Sequence, residues 1–126
     1  MEPNEALAEL TELSSQVEEA AILGESGFVL ASTGTPERGE QLAHAAAELL
    51  SVAAEVRGDG PAVTRVEVAL PTGSVFVVRE GARAAVATTV SEPTAGLVVY
   101  DLRTALRRLD DDKPTQGGRR RTAADA

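Results

Sequence analysis

The 126-residue chain is long enough for one domain with its own core, and with 43% hydrophobic but only 2% aromatic residues that core has to be built from Val, Leu and Ala. It has no Cys, which rules out disulfides and Cys-ligated metal. The formal net charge is −8, and residues 1–112 hold eight basic against nineteen acidic residues, a net of −11, so the surface repels nucleic acid and anionic lipid and neither is expected as a partner.

The first residues, MEPNEALAEL, are acidic and lack the cationic start of a signal peptide. No apolar run reaches the roughly 18 residues of a membrane span, so a cytoplasmic location is expected. Asn4 stands where an N-cap would, with Glu5 in the first turn behind it. Ala6, Leu10, Leu13 and Val17, with Leu7 beside them, form one stripe, so this helix buries a single face. Then the pattern changes. AAIL is a short continuous apolar run, Gly24-Glu25-Ser26-Gly27 is a turn, and FVLAS is a second run. Residues 17–23 and 28–32 together read as a β-hairpin, and Thr33-Gly34-Thr35-Pro36 leads out of it.

Residues 37–57, ERGEQLAHAAAELLSVAAEVR, read as one long helix, dense in Ala, Leu, Glu and Gln. Pro36 suits its first turn and Gly58 its end. At roughly 100° per residue, Gln41, His44, Glu48, Ser51 and Glu55 fall in one narrow polar stripe. One apolar flank is bulky (Leu42, Leu49, Val52, Val56). The other is mostly small (Ala43, Ala46, Ala47, Ala53 and Ala54, with Leu50). A surface helix usually has an apolar stripe a little over 100° wide, and this one spans about twice that arc. It therefore needs two partners, of which the chain's own sheet is one.

After the break Gly58-Asp59-Gly60-Pro61 come three strand-like runs with short turns. Residues 63–70 end in a strict alternation, with Val66, Val68 and Leu70 on one side and Arg65 and Glu67 on the other. Residues 75–79, VFVVR, and 84–90, AAVATTV, are apolar on both faces. Loops this short join antiparallel neighbours, which makes a meander. Strands apolar on both faces must be covered on both faces, so these two, and the first hairpin, belong inside a sheet. The charges of residues 63–70 fit an edge position.

Ser91 or Thr94 can cap a last helix, in which Val98, Leu102, Ala105, Leu106 and Leu109 make the buried stripe and Tyr100, Asp101, Arg103, Thr104, Arg107 and Arg108 take the other side. Asp110-Asp111-Asp112 oppose the helix dipole. Residues 113–126 read as a disordered tail, with Arg119, Arg120 and Arg121 as a solvated basic cluster. The element order α-β-β-α-β-β-β-α leaves the long helix to cross one sheet face alone while the two one-sided helices share the other. That is a three-layer α/β/α sandwich around a five-stranded antiparallel sheet.

This order, the hairpin AAILGESGFVLAS, the Ala- and Leu-rich helix and the closing run PTAGLVVYDLRTALRRL resemble the Roadblock (dynein light-chain roadblock) family, in its short bacterial members. The likeness covers roughly residues 6–109, within a domain placed at 1–112. It implies a profilin-like or longin-like fold, no catalysis, no cofactor, and a homodimer formed through the long helix and the edge strand. It also implies an adaptor role on a small Ras-like GTPase. Spacing leaves open which flank faces which; in that setting the bulky flank is placed on the chain's own sheet. The small flank, Ala43, Ala46, Ala47, Leu50, Ala53 and Ala54, is assigned to the twin helix together with Arg65, Val66 and Glu67 on the edge. The polar stripe Gln41, His44, Glu48, Ser51 and Glu55 is left for the partner.

Motifs for chemistry point the same way. The sequence has no G-x-x-x-x-G-K-[ST] and no G-x-G-x-x-G, so GTP chemistry would belong to a partner. His44 is the sole His; with Glu48 at i+4 it offers two ligands at most, a poor metal site, and it has no nucleophilic Ser in a strained turn for triad chemistry. No metal is expected. A signalling scaffold for a non-GTPase partner and a small-molecule sensor are the alternative readings. The apolar, Ala- and Val-rich core gives the sensor no evident polar pocket.

Overall fold

The computed structural model describes residues 1–58 and 62–111. Expectations for residues 59–61 and for the tail lie outside the described residues. The chain runs α1 (Pro3–Leu13), β1 (Val17–Leu23), β2 (Val29–Ser32), α2 (Pro36–Arg57), β3 (Arg65–Leu70), β4 (Gly73–Glu80), β5 (Arg83–Thr89) and α3 (Ala95–Asp111). The strands form one five-stranded antiparallel sheet in the order β2-β1-β5-β4-β3. Hairpin and meander are therefore joined by β1 against β5, from Val17 opposite Thr89 to Leu23 opposite Ala84. The expected three layers form, with α1 and α3 on one face and α2 alone on the other.

Alternation along the central strands explains why they read as apolar throughout. Phe76 and Val78 of β4 point into the α1/α3 layer, where they meet Ile22, Val98, Leu102 and Leu106. Val77, between them, points into the α2 layer with Leu23, Leu42, Ala46 and Val86. The long helix lies close on the sheet: a Cβ at Gly39 would come within 2.7 Å of the Ser32 hydroxyl oxygen. Its N-cap is Thr35, whose hydroxyl accepts from the Arg38 N–H at 3.1 Å, and the Gly58 N–H donates to the Ala54 carbonyl at its far end.

Several local expectations are corrected. The first helix starts two residues earlier than Asn4 would cap it: Glu2 is the N-cap, and its N–H donates to the Glu5 carboxylate at 3.3 Å. Leu13 is exposed rather than part of the buried stripe, and Val17, read both in that stripe and as the start of the strand 17–23, belongs to the strand. The strand β2 is not interior but is the second sheet edge. Asp110, which opposes the helix dipole, has a partner across the fold, its carboxylate accepting from Arg83 at 2.7 Å. Thr94 is the residue that borders α3, its carbonyl accepting from Leu97 and Val98.

One ion pair fixes the start of α2. Arg38 donates from Nε and Nη2 to both Glu19 oxygens, at 2.9 and 2.8 Å, and from Nη1 to Gln41. Thr88 on β5 donates to the same carboxylate at 3.2 Å. These bonds hold the Glu19 carboxyl below the usual carboxylate range, first through the Arg38 hydrogen bonds and then through its charge and Thr88, against the opposing effect of desolvation. A depressed folded pKa adds stability above the unfolded value that is lost as pH falls through the folded one. The stability gap between the wild type and Glu19→Gln should therefore shrink as pH drops below about 4.5. Chemical denaturation at a series of pH values checks this, and a constant gap would contradict it. At the β3–β4 turn a Cβ on Gly73 would collide with the Thr89 carbonyl oxygen of neighbouring β5. Gly73→Ala should cost on the order of 1–3 kcal/mol, read as a lowered denaturation midpoint.

Candidate functional site: the α2 face and the β3 edge

At roughly 100° per residue, Leu42, Ala43, Leu49, Leu50 and Ala53 all lie within about 60° of Ala46 on the α2 circumference. This is the face that meets the sheet. Gly39, Leu42, Ala43 and Ala46 are buried there, and Leu49, Leu50 and Ala53 are half-buried. The division of the helix into a bulky sheet-facing flank and a small free flank is thus corrected. Val52 is 56% exposed and Val56 79%, whereas Ala43 and Ala46 are covered by the chain's own core. The two flanks share the sheet-facing line, so side-chain size alone did not mark the buried side.

Each flank borders a groove. Toward the sheet edge, Ala45, Glu48, Leu49 and Val52 of α2 face Val68 of β3 and Val75 of β4 across about 450 Å³ of open, mainly apolar space. On the other flank Ala47 and Leu50 look across about 250 Å³ toward the turn at residues 24–27 and toward Arg79 and Ala82. Ala47 and Ala54 are exposed there, away from β3. The structure therefore brings Val52 close to the edge strand rather than the alanines expected beside it, with Val56 one turn further along the helix. The signal was present in the sequence as two large apolar residues near the helix end, but the choice of face depended on where α2 crosses the sheet.

The edge itself is open. In β3, Val66 and Val68 turn toward α2, while Arg65 and Glu67 are exposed on the opposite face. The Arg79 N–H donates to the Thr64 carbonyl at 2.8 Å, and Arg65 sits opposite Val78. Antiparallel alternation then directs the backbone groups of Val66 and Val68 to β4 and those of Arg65, Glu67 and Ala69 outward. The polar stripe is exposed along its length at Gln41, His44, Glu48, Ser51 and Glu55, with Nε2 of His44 3.7 Å from the Glu48 carboxylate. Among the described residues no group of three or more His, Cys, Asp or Glu side chains stands where it could hold a metal ion.

A family model of the Roadblock/LC7 domain matches residues 3–90. No match was found among curated protein sequences. Among solved structures, a Roadblock/LC7 domain from Streptomyces avermitilis superposes with a TM-score of 0.76 at 22% identity, covering 88% of this chain and 97% of that one. MglB of Myxococcus xanthus does so with a TM-score of 0.65 at 17% identity, covering 85% and 84%. A structure of MglB with tetrameric arrangement gives 0.62 at 17%, covering 83% and 82%. At these identities the structural likeness is one of fold, and it agrees with the layers and strand order described above. With the family model spanning most of the sandwich, the chain belongs to the Roadblock/LC7 family.

Proposed function

We propose that this chain is a non-catalytic, homodimeric adaptor or regulator of a small Ras-like GTPase in cytoplasmic bacterial signalling or polarity. Its family consists of small adaptors and regulators of GTPase signalling, and the self-associated MglB is a fold neighbour. The observation that carries the reading is the apolar groove between Val52 and Val68, lying directly beside a strand edge whose backbone groups face outward. Two copies related by a two-fold axis can pair their β3 edges antiparallel and bury Val52, Val56 and Leu49 between their α2 helices. The seam then uses this flank in place of the alanine one, with Leu50 and Ala53 behind it and Ala47 and Ala54 outside it.

An axis at Val66 sets Arg65 of each copy opposite Glu67 of the other, and these are the residues whose backbone groups point outward. Opposite charges directly across a strand pair contribute roughly 0.2–1 kcal/mol each. An axis at Glu67 would instead oppose two like charges. The stripe Gln41, His44, Glu48, Ser51 and Glu55 is the proposed contact for the GTPase, with Glu48 at the rim of the groove and the others on the outer surface of the joined helices. Among the described residues no helix is long and apolar enough to cross a membrane.

Glu67→Arg should raise the dimer dissociation constant by on the order of tenfold, and Arg65→Glu with Glu67→Arg should restore it. Analytical ultracentrifugation at low micromolar protein reads both, and an unchanged mass for the single variant would sink this register. Val52→Ser with Val56→Ser should leave the monomer within about 0.5 kcal/mol of wild type while weakening the dimer, because both side chains are exposed in the single chain. Pull-down with a small GTPase locked in its GTP or GDP form tests the role: a preference for one form is expected. Equal binding would reduce the regulator to a scaffold.

A further inference from the structure

On the side of the sheet away from α2, three large apolar side chains stand in solvent: Leu13 at 68% exposure, Leu97 at 55% and Tyr100 at 65%. None is part of the core, which on this side is made by Val98, Leu102, Ala105 and Leu106. They are close together. Leu97 and Tyr100 are three residues apart on α3, and Leu97 lies one turn before Asp101, so they are surface neighbours. Asp101 in turn lines, with Leu13, Glu9 and Thr104, a shallow crevice between α1 and α3 whose floor includes Ala6 and Ala105. The Gln16 side-chain oxygen accepts from the Thr94 N–H and ties the end of α1 to the start of α3. The patch therefore sits on two packed helices rather than on a loop.

The charges around it are unequally compensated. Glu9 is taken by Arg108 at 3.4 Å, and Glu80 holds Arg103 and Arg107 at 3.8 and 3.4 Å. Among the described residues no basic side chain pairs with Glu12 or Asp101. The uncompensated charge beside the apolar patch is negative.

We propose that this face docks an amphipathic helix of a partner protein, its apolar stripe on Leu13, Leu97 and Tyr100 and its Lys or Arg residues toward Glu12 and Asp101. Helix docking into a shallow apolar groove uses anchors at i, i+3, i+4 and i+7, which the spacing of this patch on two helices can meet. Charge decides against a second copy, because a two-fold contact here would set Glu12 and Asp101 against their own copies. Composition decides against the chain's own residues 113–126, which carry Arg119, Arg120 and Arg121 but no Leu, Ile, Val, Met or aromatic residue to fill the patch. A proline-rich ligand would call for an aromatic-lined groove, and Tyr100 is the one aromatic residue in the patch. The site is on the opposite side of the sheet from the proposed dimer and GTPase surfaces and does not depend on them.

The test is a titration of ¹⁵N-labelled protein with a Leu/Lys amphipathic peptide about four helical turns long, followed by amide shifts. Shifts centred on Leu13, Leu97, Tyr100 and Asp101 are expected. Leu97→Ser with Tyr100→Ser should weaken binding by about tenfold, and Glu12→Lys with Asp101→Lys by a similar factor. All four positions are at least partly exposed, and thermal melts confirm that the variants fold. A matching Leu/Glu peptide should not bind. Shifts centred on Val52 and Val56, equal binding of the Leu/Glu peptide, or unchanged affinity in the Leu97 and Tyr100 double variant would each overturn the proposal.

Discussion

Covering a sheet that is apolar on both faces is the constraint from which the rest follows. Five strands at about 4.8 Å spacing make a surface roughly 20 Å wide, and one helix with its side chains is about 10 Å across. The α1/α3 pair can therefore cover one face, with Phe76 and Ile22 of the sheet sealed under Leu102 and Leu106 of α3. On the other face α2 lies alone, however long it is. It seals Leu23, Val77 and Val86 under Leu42 and Ala46 and leaves the ground beside Val68 and Val75 uncovered. The groove next to the edge strand is a consequence of having three helices for two faces.

The polar contacts that interrupt this apolar plan are placed where elements have to be aimed. Glu19, Arg38 and Thr88 join β1, α2 and β5 where the long helix starts across the sheet. Thr89 is buried and accepts from the Ser74 N–H at 3.3 Å while donating to the Val90 carbonyl at 2.9 Å, so its hydroxyl is satisfied without water. Gly73 beside it allows the β3–β4 turn to close against β5. A shift of α2 by even part of a turn would change which flank borders the edge, and hence which residues are free to meet a second chain.

The outer surfaces differ in character. One side offers a sheet edge and an apolar helix flank, which suit a copy of the same chain because both can be matched about one axis. The stripe of Gln41, His44, Glu48, Ser51 and Glu55 along the same helix is polar and exposed, which suits a contact that forms and dissociates. The α1/α3 side carries a smaller apolar patch beside unpaired carboxylates.

Periodicity and turn residues settled much of this in advance. The alternation in β3, the two-faced apolar runs of β4 and β5 and the stripe Val98–Leu102–Leu106–Leu109 are properties of local spacing, and they carry element type, layer count and the edge position of β3. Cap and strand ends drifted by a residue or two, as at Glu2 and Val29, because several side chains there can serve equally well. The orientation of α2 was not legible. Its apolar arc is wide enough to present either flank to the sheet, and Ala46 rather than Val52 is a core residue because α2 meets Leu23, Val77 and Val86 along the line of Gly39, Leu42 and Ala46, contacts distant in the chain. Local spacing determined that the long helix had more apolar surface than one sheet could bury; only the tertiary packing decided that Val52 and Val56 are the part left over.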